Sequence, residues 1–151
     1  MKHSYYIFAF ILTILFSNCS VLKKNTNNKL IFELETTSCY GTCPVYHLQI
    51  YSDGTALLNG KEHLDKIGNF KSTIEKEKLN ELVTSFENAS FFELKDAYQS
   101  KFLDLPTKYI SYHKNGETKK IMAYDKIPKV VTGLITELKQ LVDVLEWEKM
   151  D

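Results

Sequence analysis

Residues 109–124, YISYHKNGETKKIMAY, contain the strongest signal for the fold. Asn115-Gly116 is typical of a two-residue hairpin turn, because both residues tolerate the positive φ angles of a type I′ turn. Such a turn sets Ile110 opposite Ile121 on the facing strands. Strands joined this tightly must be antiparallel, since a parallel pair needs a long crossover connection. The stretch therefore predicts an antiparallel sheet.

The first half of the chain predicts more strands. Alternating apolar positions mark one strand in residues 30–35 and another in residues 45–51. A two-residue turn at residues 53–54, Asp-Gly, would then pair Ile50 with Leu57 and place both on the core face. These strands are expected to join the same sheet as the hairpin.

Two further segments carry the apolar spacing of helices. Ser72 and Glu75 form a capping-box pattern at the start of a helix over residues 74–88. Pro128 opens a second helix, which has a wide apolar stripe and ends near Trp147. The order of strands and helices predicts an α+β domain with a mainly antiparallel sheet and two principal helices packed on one face.

Length and charge limit the class of protein. The chain has 151 residues with 19 Lys and Arg against 19 Asp and Glu, and every positive side chain is Lys. The net charge of zero excludes an electrostatic nucleic-acid binder. Without Arg, no bidentate guanidinium fork can clamp a phosphate or a carboxylate. We expect one globular domain over residues 29–151, large enough to bury about two-thirds of its unfolded surface.

The N-terminal residues predict export and a lipid anchor. An apolar run over residues 5–16 is too short for a membrane-spanning helix, and it fits the core of a signal peptide over residues 1–18. Phe16-Ser17-Asn18-Cys19-Ser20 resembles the lipobox of bacterial lipoproteins, in which the Cys becomes diacylated. Cys19 is therefore the expected lipid attachment site. An ordinary secretory signal with an incidental Cys19 is the alternative.

Residues 19–28 would link this anchor to the domain as a flexible tether. A coil of nine residues spans about 15–18 Å on average, so the domain would lie close to its membrane. Ser20 after the anchor resembles the sorting signal for the outer membrane. We expect a lipoprotein of the bacterial cell envelope, held in the outer membrane by its N-terminal lipid and facing the periplasm. Its protein or envelope partner is not identified by the sequence.

Cys39 and Cys43 remain after the anchor, within residues 38–44, SCYGTCP. In an exported protein two such thiols favour a disulfide, which requires a turn between them. Cys-x-x-x-Cys-Pro is also similar to the copper-binding motif of the cytochrome-oxidase assembly chaperones. His47 lies on the strand face predicted for Cys43 and would complete a copper site with both thiolates. A redox pair is the third interpretation, although reactive pairs precede a helix and Pro44 precedes a strand.

The sequence contains no recognised catalytic or phosphate-binding motif. The leading hypothesis is a membrane-tethered, non-catalytic binding or scaffold module that uses no cofactor. The competing hypothesis is a thiol-based copper-binding or redox protein of the envelope that uses Cys39, Cys43 and His47.

One set of residues, spread over residues 30–147, points to a family. They are Cys39-Tyr40-Gly41-Thr42-Cys43-Pro44-Val45-Tyr46, Asp53-Gly54, Gly60, Gly68, Phe91-Phe92, Asp104, Gly116, Pro128 and Trp147. Together they resemble an uncharacterised family of envelope lipoproteins, classed as a domain of unknown function, with the signature Cys-Tyr/Phe-Gly-x-Cys-Pro-x-Tyr. The resemblance implies a single secreted or lipid-anchored domain and no particular activity.

Overall fold

The computed structural model describes residues 28–100 and 105–151. The predicted signal peptide, the predicted lipid attachment site Cys19 and nearly all of the predicted tether lie outside the described residues. No helix in the described part is long and apolar enough to cross a membrane.

The described residues form one eight-stranded sheet with the strand order β5-β7-β6-β1-β2-β3-β4-β8. The strands are β1 (Leu30–Thr36), β2 (Val45–Tyr51), β3 (Thr55–Glu62), β4 (Gly68–Thr73), β5 (Ala97–Tyr98), β6 (Lys108–Lys114), β7 (Glu117–Ala123) and β8 (Glu148–Lys149). All neighbouring strands are antiparallel except β5 and β7, which are parallel. The predicted α+β class with a mainly antiparallel sheet is confirmed.

Two helices, α1 (Lys76–Asn88) and α2 (Lys129–Val144), complete the domain together with a short 3₁₀ turn at Phe91–Glu93. Alternate residues of β1, such as Phe32 and Leu34, are buried in one cluster with the apolar side chains of both helices. The core therefore lies between the helices and one face of the sheet. The opposite, outer face carries mostly polar side chains.

The predicted hairpin is confirmed in its register. Ile110 lies opposite Ile121, and both side chains are fully buried. The turn residues Asn115 and Gly116 have φ angles of 52° and 87°. Both angles are positive, as a type I′ turn requires, so the local turn chemistry sets which side chains of this hairpin reach the core.

The register predicted for the β2–β3 hairpin was wrong by one residue. Ile50 pairs with Ala56 and not with Leu57, so Leu57 lies on the outer face. The loop has three residues, with Gly54 at a φ of 86° and its N–H donating to the Tyr51 carbonyl at 3.0 Å. In such a loop only the third residue needs a positive φ, and one extra residue moves every following side chain to the other face.

The capping box predicted at Ser72 and Glu75 was also wrong. Ser72 belongs to β4, and its hydroxyl donates to the Glu146 carbonyl at 2.6 Å. Glu75 is itself the extended residue before α1, and no side chain caps this helix. The second helix ends three residues before Trp147, whose indole N–H donates back to the Val142 carbonyl at 3.1 Å. The Ser72 hydroxyl thus makes a long-range hydrogen bond instead of capping α1.

Candidate functional site

A disulfide between Cys39 and Cys43 closes a small ring directly after β1. The two Cα atoms lie 5.7 Å apart, within the range that a disulfide allows. An extended strand would hold these atoms about 13 Å apart, so the chain turns sharply within the ring. The Gly41 N–H donates to the Cys39 sulfur at 3.3 Å on the inside of this turn.

Threonines at the end of β1 fix the base of the ring. The Thr36 hydroxyl donates to the Pro44 carbonyl at 2.7 Å and accepts from the Tyr46 N–H at 3.1 Å. Thr36 is only 6% exposed, and its bond from the Tyr46 N–H is buried, whereas its bond to the Pro44 carbonyl is partly buried. The Thr37 N–H donates to the Thr107 carbonyl at 3.0 Å, and the Thr107 N–H donates to the Thr37 hydroxyl at 3.0 Å. The ring is thereby joined both to β2 and to the segment before β6.

Tyr40 stands at the tip of this ring with 96% of its surface exposed. An exposed aromatic side chain normally folds back on its neighbours, because burial of apolar surface is favourable. Among the described residues, Tyr40 has almost none of its surface covered by neighbours. The ring therefore presents a phenol group, apolar in its body and polar at its tip, to whatever approaches this end of the domain.

A second cluster of polar side chains lies on the outer face, around Glu33 of β1. One carboxylate oxygen of Glu33 lies 2.9 Å from His47 Nε2 and accepts from the Gln49 amide at 3.2 Å. The other oxygen lies 3.0 Å from His113 Nε2, and His113 Nδ1 lies 2.9 Å from the Thr118 hydroxyl. Strands on both sides of β1 thus contribute donors to a single carboxylate.

These contacts change the pKa of Glu33. Partial burial raises the pKa of the carboxyl, but hydrogen bonds from His113, Gln49 and His47 and the charge of His47 outweigh that effect and lower it. Glu33 is therefore held as a carboxylate that links β1 to β2 and to β6.

The structure does not bring together the residues of the predicted copper site. The sulfurs of Cys39 and Cys43 are bonded to each other, and His47 contacts Glu33. A register irregularity between Val45 and Tyr46, both buried, interrupts the alternation expected to align His47 with Cys43. In residues 28–100 and 105–151, no three His, Cys, Asp or Glu side chains are placed to hold a metal ion. The copper hypothesis would require reduced sulfurs and a released His47.

Sequence reasoning missed the cluster around Glu33. Glu33 and His113 are 80 positions apart in the chain and meet because β1 pairs with β6. The hairpin register does predict that His113 faces Thr118, which the structure confirms. No local pattern indicates that β1 inserts between the two hairpins.

Thr36→Val should destabilise the ring base. Valine keeps the shape of threonine but removes the hydroxyl, which leaves the buried Tyr46 N–H without its acceptor and also removes the partly buried bond to the Pro44 carbonyl. An unsatisfied buried group costs about 1–3 kcal/mol, so we expect a loss of that order in the free energy of unfolding. Urea unfolding of the variant measures it, with exposed Thr42→Val as the matched control. Equal unfolding midpoints for Thr36→Val and the wild type would contradict the assigned role.

Glu33 should make stability depend on pH in the acid range. Because its pKa is lowered in the folded state, the stability that it contributes is fully present above its unfolded pKa of about 4.5. That contribution is lost as the pH falls below this value and passes through the lowered, folded pKa. The stability gap between wild type and Glu33→Gln should therefore shrink with acidification.

Urea unfolding at a series of pH values from neutral to strongly acid measures this gap directly. Glu93→Gln, which removes an exposed carboxylate from the 3₁₀ turn, controls for the loss of one acidic group. A gap that stays constant down to the lowest pH would show that the hydrogen bonds to Glu33 do not stabilise its ionised form.

Comparison with known proteins identifies a family whose function is not known. No curated protein matches the chain in sequence. The family model described as domain of unknown function (DUF6438) matches residues 30–142, a span that includes the ring, the Glu33 cluster and nearly all of the core. Since the match covers well over half of the chain, the protein belongs to the DUF6438 family.

Proposed function

We propose that this protein is a membrane-tethered lipoprotein of the bacterial envelope and acts as a non-catalytic binding or scaffold module. Cys19 carries the lipid after removal of residues 1–18, and residues 19–28 connect it to the domain. The lipobox-like sequence and the short tether support the anchor. The disulfide-closed ring that holds Tyr40 in solvent is the observation that carries the binding role.

The ring is proposed as a binding element because its backbone is already ordered before a partner binds. Association costs free energy wherever a loop or side chain must be ordered on binding. Here the disulfide, the Thr36 hydrogen bonds and the Thr37–Thr107 pair have already ordered the backbone. A partner that accepts Tyr40 would therefore lose little to loop ordering. Tyrosine is also among the residues that most often dominate binding energy at protein interfaces.

Photo-crosslinking in the native envelope tests the binding role. The anchored protein carries a photoreactive phenylalanine analogue in place of Tyr40, or in place of Val144 as the control. Val144 is also exposed and apolar, at 71%. We expect a discrete crosslinked adduct from position 40 and none from position 144.

Adding an excess of soluble competitor chain tests whether the adduct comes from specific binding through Tyr40. Excess soluble Cys19→Ala chain should suppress the adduct, whereas soluble chain that also carries Tyr40→Ala should not. Crosslinking that is equal at both positions, or that both competitors suppress alike, would contradict a binding role for the ring.

A further inference from the structure

We infer that the Cys39–Cys43 disulfide is a redox switch for the binding site proposed above: its reduction by a dithiol frees Tyr40 and weakens binding, while the rest of the domain stays folded. This inference rests on the proposed function, because it concerns the regulation of the same site. The switch acts on the ring itself, residues 39–43.

The order of the ring depends on the disulfide. The ring lies between β1 and β2, outside any strand or helix, and Tyr40 at its tip is 96% exposed. Among the described residues, the backbone of the ring makes one hydrogen bond, from the Gly41 N–H to the Cys39 sulfur at 3.3 Å. The acceptor of that bond is itself one of the two bridged atoms. The bridge is therefore the main constraint that holds the ring in one conformation.

The two ends of the ring are joined by contacts that do not involve the sulfurs. Thr36 pairs with Tyr46 in the β1–β2 ladder, and its hydroxyl donates to the Pro44 carbonyl. Thr37 is hydrogen-bonded to Thr107, just before β6. Opening the bridge should thus release the ring alone, because the strands on both sides keep their hydrogen bonds. Both thiols also stay within a short loop with fixed ends, so the bridge can form again.

Both cysteines can be reached from solvent. Cys39 and Cys43 are partly exposed, and Gly41 and Thr42 between them are exposed. Exposed disulfides are among those that reductants open most readily, whereas structural bridges of secreted proteins typically resist reduction. A dithiol can therefore attack this bridge without unfolding of the domain.

The reaction is thiol–disulfide exchange. A thiolate of the dithiol attacks one ring sulfur, which breaks the Cys39–Cys43 bond, forms a mixed disulfide and releases the other cysteine as a thiolate that takes up a proton. The second thiol of the dithiol then displaces the attached cysteine. The ring gains two electrons and two protons, and the dithiol is oxidised to a disulfide.

Opening the ring removes the preorganisation on which the proposed binding role depends. A partner of the reduced chain would have to order the ring backbone as it binds. Fixing the backbone of even one residue lowers affinity by about tenfold. We therefore expect the oxidised chain to bind the partner of Tyr40 at least about tenfold more tightly than the reduced chain.

NMR relaxation of the soluble Cys19→Ala chain tests the release of the ring. We expect backbone order parameters of about 0.85 for the ring in the oxidised chain and below about 0.6 after reduction with dithiothreitol, with no change in β1 or β2. A Cys39→Ser and Cys43→Ser double variant should match the reduced chain without any reductant. Thr42→Ala, which keeps the bridge, should match the oxidised wild type. A ring that stays equally ordered after reduction, or strands that lose their order with it, would overturn the switch.

Competition in the crosslinking assay tests the effect on binding. The anchored protein with the photoreactive analogue at position 40 is crosslinked in the envelope without reductant. The competitor is the soluble Cys19→Ala chain, with or without the two serine substitutions. The serine-substituted competitor should need at least about tenfold higher concentration to suppress the adduct. Equal suppression by both competitors would overturn the switch alone, whereas the absence of any adduct from position 40 would overturn the proposed function and the switch with it.

Discussion

Phe32→Ala should lower the free energy of unfolding by about 3–5 kcal/mol, as is usual for removing a buried phenylalanine. Phe32 lies in the central strand β1 and is fully buried. Its ring centroid is 4.4 Å from that of Phe86 in α1 and 5.0 Å from that of Tyr112 in β6. Deleting the ring opens a cavity where a helix and two strands meet, and a well-packed site of this kind relaxes only partly to fill it.

Urea unfolding followed by circular dichroism measures this loss. Phe92→Ala is the matched control. The ring centroids of Phe92 and Tyr112 are 5.4 Å apart, but Phe92 is only partly buried. We expect a clearly smaller loss for the control. A loss below about 1 kcal/mol for Phe32→Ala would show that the aromatic cluster is not the centre of the core.

Cys19→Ala should move nearly all of the protein from the membrane fraction to the soluble fraction. A diacyl anchor holds a protein stably, and the domain without it has no other proposed attachment. Partial release is therefore not expected. The fold should be unaffected, because the core residues of the described chain all lie beyond the predicted tether.

Fractionation with fatty-acid labelling checks this result. A Cys39→Ala and Cys43→Ala double variant serves as the control, and it should keep both the label and the membrane location. A wild-type protein that is soluble and carries no label would contradict the lipoprotein assignment.

The two hairpins show where sequence reasoning about this fold succeeds and where it stops. Asn115-Gly116 is diagnostic because a type I′ turn needs positive φ at both positions, and few other residue pairs allow that. Asp-Gly at residues 53–54 fits both a two-residue turn and a three-residue loop, because the three-residue loop needs positive φ only at Gly54. The core face of β6 and β7 was therefore predictable, whereas the core face of β3 was not.

The candidate site likewise has one part that the sequence predicts and other parts that it does not. The ring follows from covalent chemistry, since an exported pair of cysteines close in sequence favours a disulfide. The Glu33 cluster depends on long-range strand pairing that no local pattern specifies. The exposure of Tyr40 is equally hidden in the sequence, because aromatic residues near strands are more often buried. Turn chemistry and covalent constraints are local, while the placement of Glu33 and Tyr40 is decided by tertiary structure.

Intact mass analysis of the protein isolated from its envelope without reduction tests the central claim most directly. That claim is a lipid-anchored module with a closed ring. It predicts a chain that begins at a diacylated Cys19 and in which neither Cys39 nor Cys43 reacts with an alkylating reagent until the protein is reduced. A chain with an unmodified Cys19, or one in which both ring cysteines are alkylated without reduction, would contradict it.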